Sequence, residues 1–349
     1  MTPLINALRD GRDLTSSEVR LAVAALLSDE TPDEEKADFL ILLHRKGEST
    51  EEIVAFVHEL LARAIDPQID QAALPGPMLD NCGTGGDGFD LFNVSTTVMF
   101  VLAAADVVVM KHGNRGATSR CGSADVLEAL GIEIDLAPAQ LRESLKRCGL
   151  GFVFARRYHP AFRALAELRQ RLAAARQRTI FNLLGPLLSP GRPTLQFVGV
   201  YEPRLTSVFA DVLRLLGRKR AWIVHGNTDA GGIDDISTAG ITTLAELADG
   251  RLTNGIIDAR WLGLSESRVE ALYGGDAREN ARILEGILDG SIGGAKRDLA
   301  LVNAAGGFVV AGVASDIRVG LEMAREQIDS GRALAKLRAL QQFQPNASR

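Results

Sequence analysis

The stretch that decides the fold lies at residues 78–113 and reads MLDNCGTGGDGFDLFNVSTTVMFVLAAADVVVMKHG. A short apolar segment leads into a glycine-rich turn at residues 82–88, and a helical pattern follows at residues 94–105. A second apolar segment, residues 107–110, then ends in lysine and histidine. Strand, turn, helix and strand in this order are typical of an α/β sheet that is covered by helices.

The same alternation continues towards the C-terminus. Strand patterns lie at residues 152–154, 196–200 and 221–224, and helical patterns lie between and after them. Strands that alternate with helices in this way favour parallel pairing. The chain is therefore predicted to contain a central parallel or mixed sheet flanked by helices.

Towards the N-terminus the pattern changes, because residues 1–70 contain helical patterns only. Apolar residues recur at helical spacing in Ser16–Leu27 and in residues 32–44, and Ser49 is the predicted N-cap of a third helix. Prolines between residues 67 and 77 then mark a boundary. We therefore expect a small all-helical domain in front of a larger α/β domain.

The composition is that of a globular protein with a large core. Of the 349 residues, 46% are hydrophobic and 24% are charged, and the net charge of -5 does not favour nucleic acid or an anionic membrane as a partner. Cys82, Cys121 and Cys148 form no CxxC or Cys/His cluster, so we expect no zinc site and a reducing compartment. Because no signal peptide or bilayer-spanning pattern is evident, we expect a cytoplasmic protein.

The glycine-rich turn carries the first chemical signal. Four glycines between Cys82 and Gly88 let the backbone approach a ligand closely. The turn leads into a helix N-terminus, where free N–H groups and the helix dipole favour an anion, and Ser95 and Thr96 add hydroxyl donors. The pattern matches neither GxxxxGK[ST] nor GxGxxG, so an ordinary tight turn is an equally good interpretation of this segment alone.

A second strand-to-helix connection carries cationic and hydroxyl side chains. Lys111 and Arg115 can pair with phosphate, and Ser119 and Arg120 supply further donors. Ligands of open α/β sheets usually bind at the carboxyl ends of strands, where both connections are predicted to lie. Together the two connections predict a site for a phosphorylated ligand.

Asp234 and Asp235 stand in the segment GGIDDIS, at residues 231–237. Adjacent carboxylates after glycines suit a hard cation such as Mg²⁺ that is held together with substrate phosphates. An isolated acidic pair more often lies on the surface, but the phosphate donors elsewhere in the chain favour the metal interpretation. No spacing indicates a Ser–His–Asp or Cys–His nucleophile.

Five segments of the chain resemble the anthranilate phosphoribosyltransferase family and occur in the order of that family. They read CGTGGDGFDLFNVST, KHGNRGATSRCGSADVLEALG, YHPAF, RTIFNLLGPLLSPG and GGIDDIS. The N-terminal ADFLILLHRKGESTEEI and the C-terminal LVNAAGGFVVAG also resemble it, so the resemblance covers nearly the whole chain. The long KHGN…GSADVLEALG block is the specific part.

The resemblance implies a reaction of tryptophan biosynthesis. In this reaction 5-phosphoribosyl 1-diphosphate and anthranilate give N-(5-phosphoribosyl)anthranilate and diphosphate, and Mg²⁺ is the cofactor. The resemblance also implies a homodimer and a fold like that of nucleoside phosphorylases and phosphoribosyltransferases. Residues 1–75 with about 161–190 would form the small helical domain, and residues 76–160 with 191–349 the α/β domain that carries the donor site.

Site roles follow from the same resemblance. Lys111 and Asp87 are implied to be catalytic, and Ser95, Asp234 and Asp235 to hold the metal. The implied contacts of 5-phosphoribosyl 1-diphosphate are Gly83, Thr84, Gly85, Gly86, Asp87, Asn93, Ser95, Thr96, Lys111, Ser119 and Arg120. Those of anthranilate are Gly83, His112, Asn114, His159 and Arg169. The planar guanidinium of Arg169 matches a carboxylate in bidentate geometry.

The chain departs from the family pattern at several places. Asp235 replaces the usual glutamate, Arg120 replaces a lysine, and the connection after His225 is longer than usual. A few extra residues lie between Arg169 and Arg178, which leaves another aromatic amine open as the acceptor. A non-catalytic nucleic-acid-binding relative and a pyrimidine-nucleoside phosphorylase are further alternatives, and the intact KHGN segment disfavours both.

Overall fold

The computed structural model describes residues 1–116 and 120–343. Its N-terminal part is helical, as the sequence patterns predict, and two of its helices begin with a capping box. There the hydroxyl of Thr15 or Ser49 accepts a bond from the third helical N–H, and a glutamate at that position bonds back to the cap. These helices are α1 (Thr2–Arg9), α2 (Ser16–Leu27), α3 (Asp33–Lys46) and α4 (Thr50–Leu61).

The rest of the chain is built on a mixed sheet, which confirms the predicted fold class. Its strands are β1 (Met78–Asn81), β2 (Val108–Gly113), β3 (Leu150–Phe154), β4 (Leu195–Gly199), β5 (Arg220–Asn227), β6 (Gly232–Ile233), β7 (Thr242–Ala248) and β8 (Arg251–Ile257). They pair in the order β3-β2-β1-β4-β5-β7-β8, with β6 also on β5. Pairing is parallel from β3 to β5 and antiparallel for β6, β7 and β8.

Helices cover both faces of this sheet. They are α5 (Val94–Ala104), α6 (Ser123–Ala129), α7 (Pro138–Cys148), α8 (Ala155–Tyr158), α9 (Ala166–Ala174), α10 (Phe181–Leu184), α11 (Leu205–Leu215), α12 (Ala277–Leu288), α13 (Gly294–Ala311), α14 (Ile317–Asp329) and α15 (Arg332–Gln341). The α13 helix packs on β1, β4 and β5, and α11 packs on β5 and β7. None of the helices described combines the length and the apolar character that crossing a bilayer requires.

The strand order places a ligand crevice beside β1. From β1 the chain runs to β2 and β3 on one side, and then crosses to β4 and β5 on the other side. The carboxyl ends of β1 and β4 are therefore the topological switch point, where open α/β sheets bind ligands. The glycine-rich turn follows β1 and opens at this point.

The hydrophobic core consists of two clusters of buried residues. One cluster joins α5, α12, α13 and α14 to β1, β2 and β3. The other joins α1 to α4 with residues 165–188, and it extends into α11 and into strands β4, β5 and β7. The helical part is thus packed continuously onto the sheet, and the predicted domain boundaries stay a prediction.

Candidate active site

The glycine turn, residues 83–88, is held against the end of β4. The Thr84 amide donates to the Gly199 carbonyl over 2.9 Å. Gly85 and Gly86 have φ angles of 64° and 77°, and a side chain is strained in this left-handed region. The turn therefore requires its glycines, and it lies directly over the switch point of the sheet.

Asp234 packs against this turn from a distant part of the chain. Its Oδ2 accepts a hydrogen bond from the Gly85 amide over 2.7 Å. A Cβ atom on Gly83 would lie 2.2 Å from the same oxygen, and one on Gly199 would lie 1.5 Å from the Asp234 carbonyl oxygen. Because the acidic segment approaches so closely, no residue larger than glycine fits at position 83 or at position 199.

Asp87, Asp234 and Asp235 form a cluster of partly buried carboxyl groups. Burial raises the pKa of all three, and the charge of Asp234 raises those of its two neighbours further. The positive charge of Lys111 opposes the rise at Asp234 and Asp235. The adjacent Asp234 and Asp235 would favour a hard divalent cation, which would offset the repulsion between their carboxylates.

The protein groups of this cluster leave part of a metal's coordination open. Within residues 1–116 and 120–343, no three His, Cys, Asp or Glu side chains converge to form a metal site. Mg²⁺ typically takes one or two carboxylates and completes its octahedron with water and substrate phosphates. The donor set is therefore suited to a cation that binds together with a phosphorylated ligand.

Asn303 on α13 holds the backbone of the acidic segment, a role that the sequence analysis does not assign. Its Oδ1 accepts a bond from the Ile236 amide over 2.8 Å, and its Nδ2 donates to the Ile236 carbonyl over 2.9 Å. Asn303 is 1% exposed. The available sequence signal is a single amide side chain inside the apolar segment LVNAAGG.

Lys111 lies where β1, β2 and α5 meet. The side chain is buried, and its Nζ donates to the Asn81 carbonyl over 2.7 Å and to the Ser95 hydroxyl over 2.9 Å. An ammonium group has three N–H bonds, so one donor is left for a ligand oxygen. The structure thus brings the predicted lysine and the predicted Ser95 into direct contact.

Arg115 is paired with acidic side chains in the structure. Its guanidinium pairs with Glu128 and lies 3.4 Å from Asp125 Oδ1. Both carboxylates belong to α6, which the local sequence pattern does not bring into contact with residue 115. These carboxylates would compete with a phosphate for Arg115, so its predicted pairing with phosphate stays a prediction.

Asn93 and Thr96, two further predicted donor contacts, lie at the start of α5. Asn93 precedes α5, and its Oδ1 has no hydrogen-bond partner in the part of the chain that the structure describes; the same holds for Thr96 Oγ1. Arg120 is exposed, and its amide donates to Asp90 Oδ1 over 3.3 Å. Ser119 lies outside the described residues.

Asp80 is a fully buried carboxyl group that the sequence analysis does not assign. It lies on β1 with 0% exposure, and its Oδ1 accepts a bond from the His112 amide over 3.2 Å. Burial raises the pKa of Asp80 to about 6, while the positive charge of Lys111 opposes the rise. Asp80 therefore ties the end of β2 to β1, directly behind the predicted site.

His112 and His159 begin a second part of the site. His112 Nδ1 lies 3.0 Å from the Gly185 carbonyl, His159 Nε2 lies 2.9 Å from the Leu188 carbonyl, and the ring centroids are 5.4 Å apart. Burial lowers the pKa of His112 to about 3 and that of His159 to about 4, so both rings are neutral at pH 7. Because carbonyls only accept, the contacting nitrogen of each ring carries the hydrogen.

Arg169 lies among aromatic rings beside these histidines. Its guanidinium is 4.8 Å from the Phe181 centroid and 5.6 Å from the Phe162 centroid, and His159 stacks on Phe162 at 5.2 Å. In the described ranges no carboxylate pairs with Arg169, and burial lowers the pKa of its guanidinium. A shielded guanidinium without an anion suits a ligand carboxylate.

The two parts meet at the end of β2, where Lys111 and His112 are consecutive. Successive strand residues point to opposite faces, so Lys111 faces α5 while His112 faces the turn at residues 185–188. Asn114, the remaining predicted acceptor contact, is exposed beyond this strand, and its Oδ1 accepts the Arg115 amide over 2.8 Å.

Comparison with known proteins decides the family. The description "glycosyl transferase family, helical bundle domain" matches residues 2–64, and "glycosyl transferase family, a/b domain" matches residues 75–334. The anthranilate phosphoribosyltransferase of Desulfatibacillum aliphaticivorans is 41% identical over 340 residues, which are 97% of each chain. The chain belongs to the anthranilate phosphoribosyltransferase family.

Solved structures of anthranilate phosphoribosyltransferases have the same fold. The enzyme from Thermus thermophilus superposes with a TM-score of 0.87 at 35% identity and covers 97% of this chain and 98% of its own. The Saccharomyces cerevisiae enzyme in complex with PRPP and Mg has a TM-score of 0.84 at 25% identity, with 97% of each chain covered. The resemblance stated for the five sequence segments is thereby confirmed, and with it the enzyme class, while the roles of single residues stay predictions.

Proposed function

We propose that the chain transfers the 5-phosphoribosyl group of 5-phosphoribosyl 1-diphosphate to the amine of anthranilate, a step of tryptophan biosynthesis. The observation that carries this proposal is the contact of the glycine turn with Asp234 beside the buried Lys111, at the switch point of the sheet. Family membership supports the same reaction. The structure of a yeast relative with PRPP and Mg supports the identity of the donor.

The donor is proposed to bind over the carboxyl ends of β1 and β4. Backbone N–H groups at the start of α5 would bind diphosphate, because a helix N-terminus favours anions, and the glycines of the turn would let its backbone approach the ligand closely. The buried Thr96 hydroxyl supports this location, because it lacks a partner among the described residues and can donate to a phosphate oxygen. Asn93 Oδ1 only accepts, so its partner would be a hydroxyl group of the ribose. Lys111 would contact a diphosphate oxygen with its remaining N–H.

Asp234, Asp235 and Ser95 are proposed to hold Mg²⁺. The side chains of these residues offer only oxygen atoms as ligands. Burial raises the pKa of both carboxyl groups, and a bound cation would favour their charged forms. Asp235 in place of glutamate keeps the carboxylate but shortens its reach. When bound, the cation would neutralise charge that develops on the departing diphosphate.

Anthranilate is proposed to bind on the aromatic side, with its carboxylate at Arg169. The rings of Phe162 and Phe181 support an aromatic ligand, because they lie against this guanidinium. His112 and His159 are neutral and would line the access route without repelling or trapping a charge. Gly83 and Asn114 would complete the acceptor contacts.

In the proposed reaction the amine nitrogen forms a bond to C1 of the ribose while the C1–O bond to diphosphate breaks. The leaving diphosphate takes the electron pair of that bond, and the amine releases one proton. The amine is neutral near pH 7, so no strong base is required, and Lys111 would stabilise the leaving group. Holding both reactants in line can contribute roughly 7–11 kcal/mol to the lowering of the barrier.

We also propose that the chain is a cytoplasmic homodimer, as the family resemblance implies. The dimer would form through the helical part, which carries α1 to α4. Light scattering coupled to gel filtration measures the mass directly. A single-chain mass at micromolar concentration would contradict this part of the proposal.

The proposed activity is tested by following anthranilate fluorescence during turnover. Consumption should require 5-phosphoribosyl 1-diphosphate, Mg²⁺ and the protein together, and omitting each in turn should stop it. Mass spectrometry of the product should show N-(5-phosphoribosyl)anthranilate. Full consumption without Mg²⁺, or none with all three components, would contradict the proposal.

Because extra residues lie between Arg169 and Arg178, an aromatic amine other than anthranilate is an alternative acceptor. Comparing turnover of anthranilate with that of aniline and substituted anilines tests it directly. Because Arg169 has no carboxylate partner in the described ranges, we expect a strong preference for an amine that carries a carboxylate. Faster turnover of an aniline without a carboxylate would favour the alternative.

A further inference from the structure

Arg178 lies between the two parts of the active site and has no role in the proposed reaction. Its Nη1 is 3.0 Å from Glu202 Oε1, and its Nη2 donates to the Gly86 carbonyl over 3.1 Å. The guanidinium also lies 4.0 Å from the centroid of the Tyr201 ring. Three contacts in different directions fix the plane of this group.

The end of the glycine turn that Arg178 holds is otherwise loosely packed. Among the residues that the structure describes, no heavy atom lies within 4 Å of the place that a Cβ atom would occupy on Gly86 or Gly88. The start of the turn is anchored differently, because Tyr201 and Gly199 bond to Thr84. In this half of the turn, Arg178 holds the Gly86 carbonyl and the Phe89 amide holds Asp87 Oδ1 over 3.2 Å. Loss of the Arg178 bond would therefore release the peptide between Gly86 and Asp87.

Holding the Gly86 carbonyl also sets the direction of the next amide. In a planar trans peptide the carbonyl and the following N–H point in opposite directions, so the Asp87 amide points away from Arg178. The Asp87 side chain extends from the residue that follows this peptide, and its carboxyl group lies beside Asp234. Arg178 thus restrains the backbone that leads into Asp87, the aspartate that is proposed to contact the donor.

Arg178 is joined on its other side to the acceptor region. It directly precedes Thr179, whose amide donates to Asn182 Oδ1 over 2.9 Å and starts the segment that carries Phe181. Phe181 in turn packs on Arg169 at 4.8 Å. A ligand on Arg169 would therefore order the same short segment from which Arg178 extends to the turn.

We propose that Arg178 is a positioning residue that couples the two substrate sites, so that occupation of the acceptor side favours binding in the glycine turn. The proposal rests on the proposed function, because it takes diphosphate and anthranilate as the two ligands. The coupling is reciprocal, since each ligand must change the affinity of the other by the same factor.

Binding without turnover tests the proposal. Magnesium diphosphate and anthranilate contain no ribose, so both can be titrated onto the full-length protein by isothermal titration calorimetry without any reaction. We expect anthranilate to tighten the binding of magnesium diphosphate to the wild type by roughly fivefold or more. In Arg178→Met we expect binding of magnesium diphosphate to weaken by roughly tenfold and the tightening by anthranilate to disappear.

Two further variants isolate the cause. Arg204→Met is the matched control: Arg204 also pairs with Glu202, at 2.5 Å, but contacts no residue of the turn, so wild-type affinity and coupling are expected. Arg178→Lys keeps the positive charge, but its single ammonium group cannot bond to Glu202 and to the Gly86 carbonyl in the way that the two nitrogens of a guanidinium do. We therefore expect the same loss of affinity and coupling as in Arg178→Met. Wild-type coupling in Arg178→Lys or in Arg178→Met would overturn the proposal.

The result also separates this inference from the proposed function. If the wild type binds both ligands and turns over, while Arg178→Met retains the coupling, then the inference fails and the function stands. If the wild type binds neither ligand, both fail. Thermal unfolding of each variant checks that the substitutions leave the fold intact, and the partial exposure of Arg178 makes this the expected result.

Discussion

The two parts of the active site differ in the number of charged groups that they contain. Around the glycine turn, Asp87, Asp234 and Asp235 crowd together beside the buried ammonium of Lys111. On the acceptor side the ionisable rings are neutral, and one guanidinium lies between aromatic faces. The first part is arranged for a ligand of high charge together with a cation, and the second for a flat ligand with a single charge.

This difference indicates why each of the two substrates would bind in its own part of the active site and not in the other part. A diphosphate on the aromatic side would lack Lys111 and the cation that balance its charge. A benzoate in the glycine turn would lack the aromatic rings on which it can stack. Specificity therefore comes from separate environments rather than from one set of shared contacts. The predictions below test whether the two environments can be disturbed independently.

The largest expected effect is that of removing magnesium. Treatment with EDTA should lower turnover by at least about a thousandfold, because the departing diphosphate and the acidic cluster then lack their counter-charge. Adding excess Mg²⁺ back should restore the rate in the fluorescence assay. Anthranilate binding alone should be almost unaffected, and a similar loss of both would contradict the separation of the two parts.

The next effect in size concerns Lys111. Lys111→Met removes a buried positive charge from the leaving group, so kcat should fall by roughly a hundredfold or more while the KM for anthranilate stays near its wild-type value. Lys219→Met, at an exposed lysine of the same chain, is the control and should keep wild-type kinetics. Steady-state rates with each substrate varied measure both constants. An unchanged kcat in Lys111→Met would remove Lys111 from the catalytic residues.

A substitution on the aromatic side should change the KM for anthranilate, whereas Lys111→Met should change kcat. Arg169→Gln removes the proposed partner of the anthranilate carboxylate, so the KM for anthranilate should rise by roughly ten- to a hundredfold with little change in the KM for the donor. Arg171→Gln, at an exposed position of the same helix, should have no such effect. If the donor KM rises as much as the acceptor KM, the two environments are not separate.

The smallest effect concerns the pH dependence of stability. The pKa of His159 is lowered to about 4 in the folded state, whereas an unfolded histidine titrates near 6.5. Between these two pH values the unfolded state binds more protons than the folded state, so the free energy of unfolding decreases as the pH falls. His159→Gln should flatten this decline by up to about 1.4 kcal/mol per pH unit, measured by urea unfolding from pH 6.5 to 4.5. Parallel pH profiles of the two proteins would show that His159 does not stay neutral.

Local patterns predicted most of the parallel part of the fold. Strand, glycine turn and helix follow each other within residues 78–113, and their apolar periodicities are strong. The antiparallel edge was not predicted, because β8 is exposed over its whole length except Ile257 and so lacks the alternation of a half-buried strand. Asp249-Gly250, both with positive φ, is the turn signal that could have revealed this hairpin.

For the site, residue type predicted which groups matter, but not always what they contact. Lys111 and Arg115 are both cations at one strand end, yet the first faces Ser95 and the second is paired with Glu128. Asn303 and Asp80 were missed because their roles depend on neighbours from other segments. Nothing in the sequence around either residue indicates those neighbours.

The sequence by itself determined the alternation of strands and helices, the glycine turn, the acidic pair and the family. Each of these is recorded in the order and spacing of neighbouring residues. Only the tertiary structure decided that Asp234 bonds to Gly85, that the two histidines are neutral, and that Arg178 holds the turn. Distances and burial between remote segments depend on how the elements pack, and local periodicity contains no record of that packing.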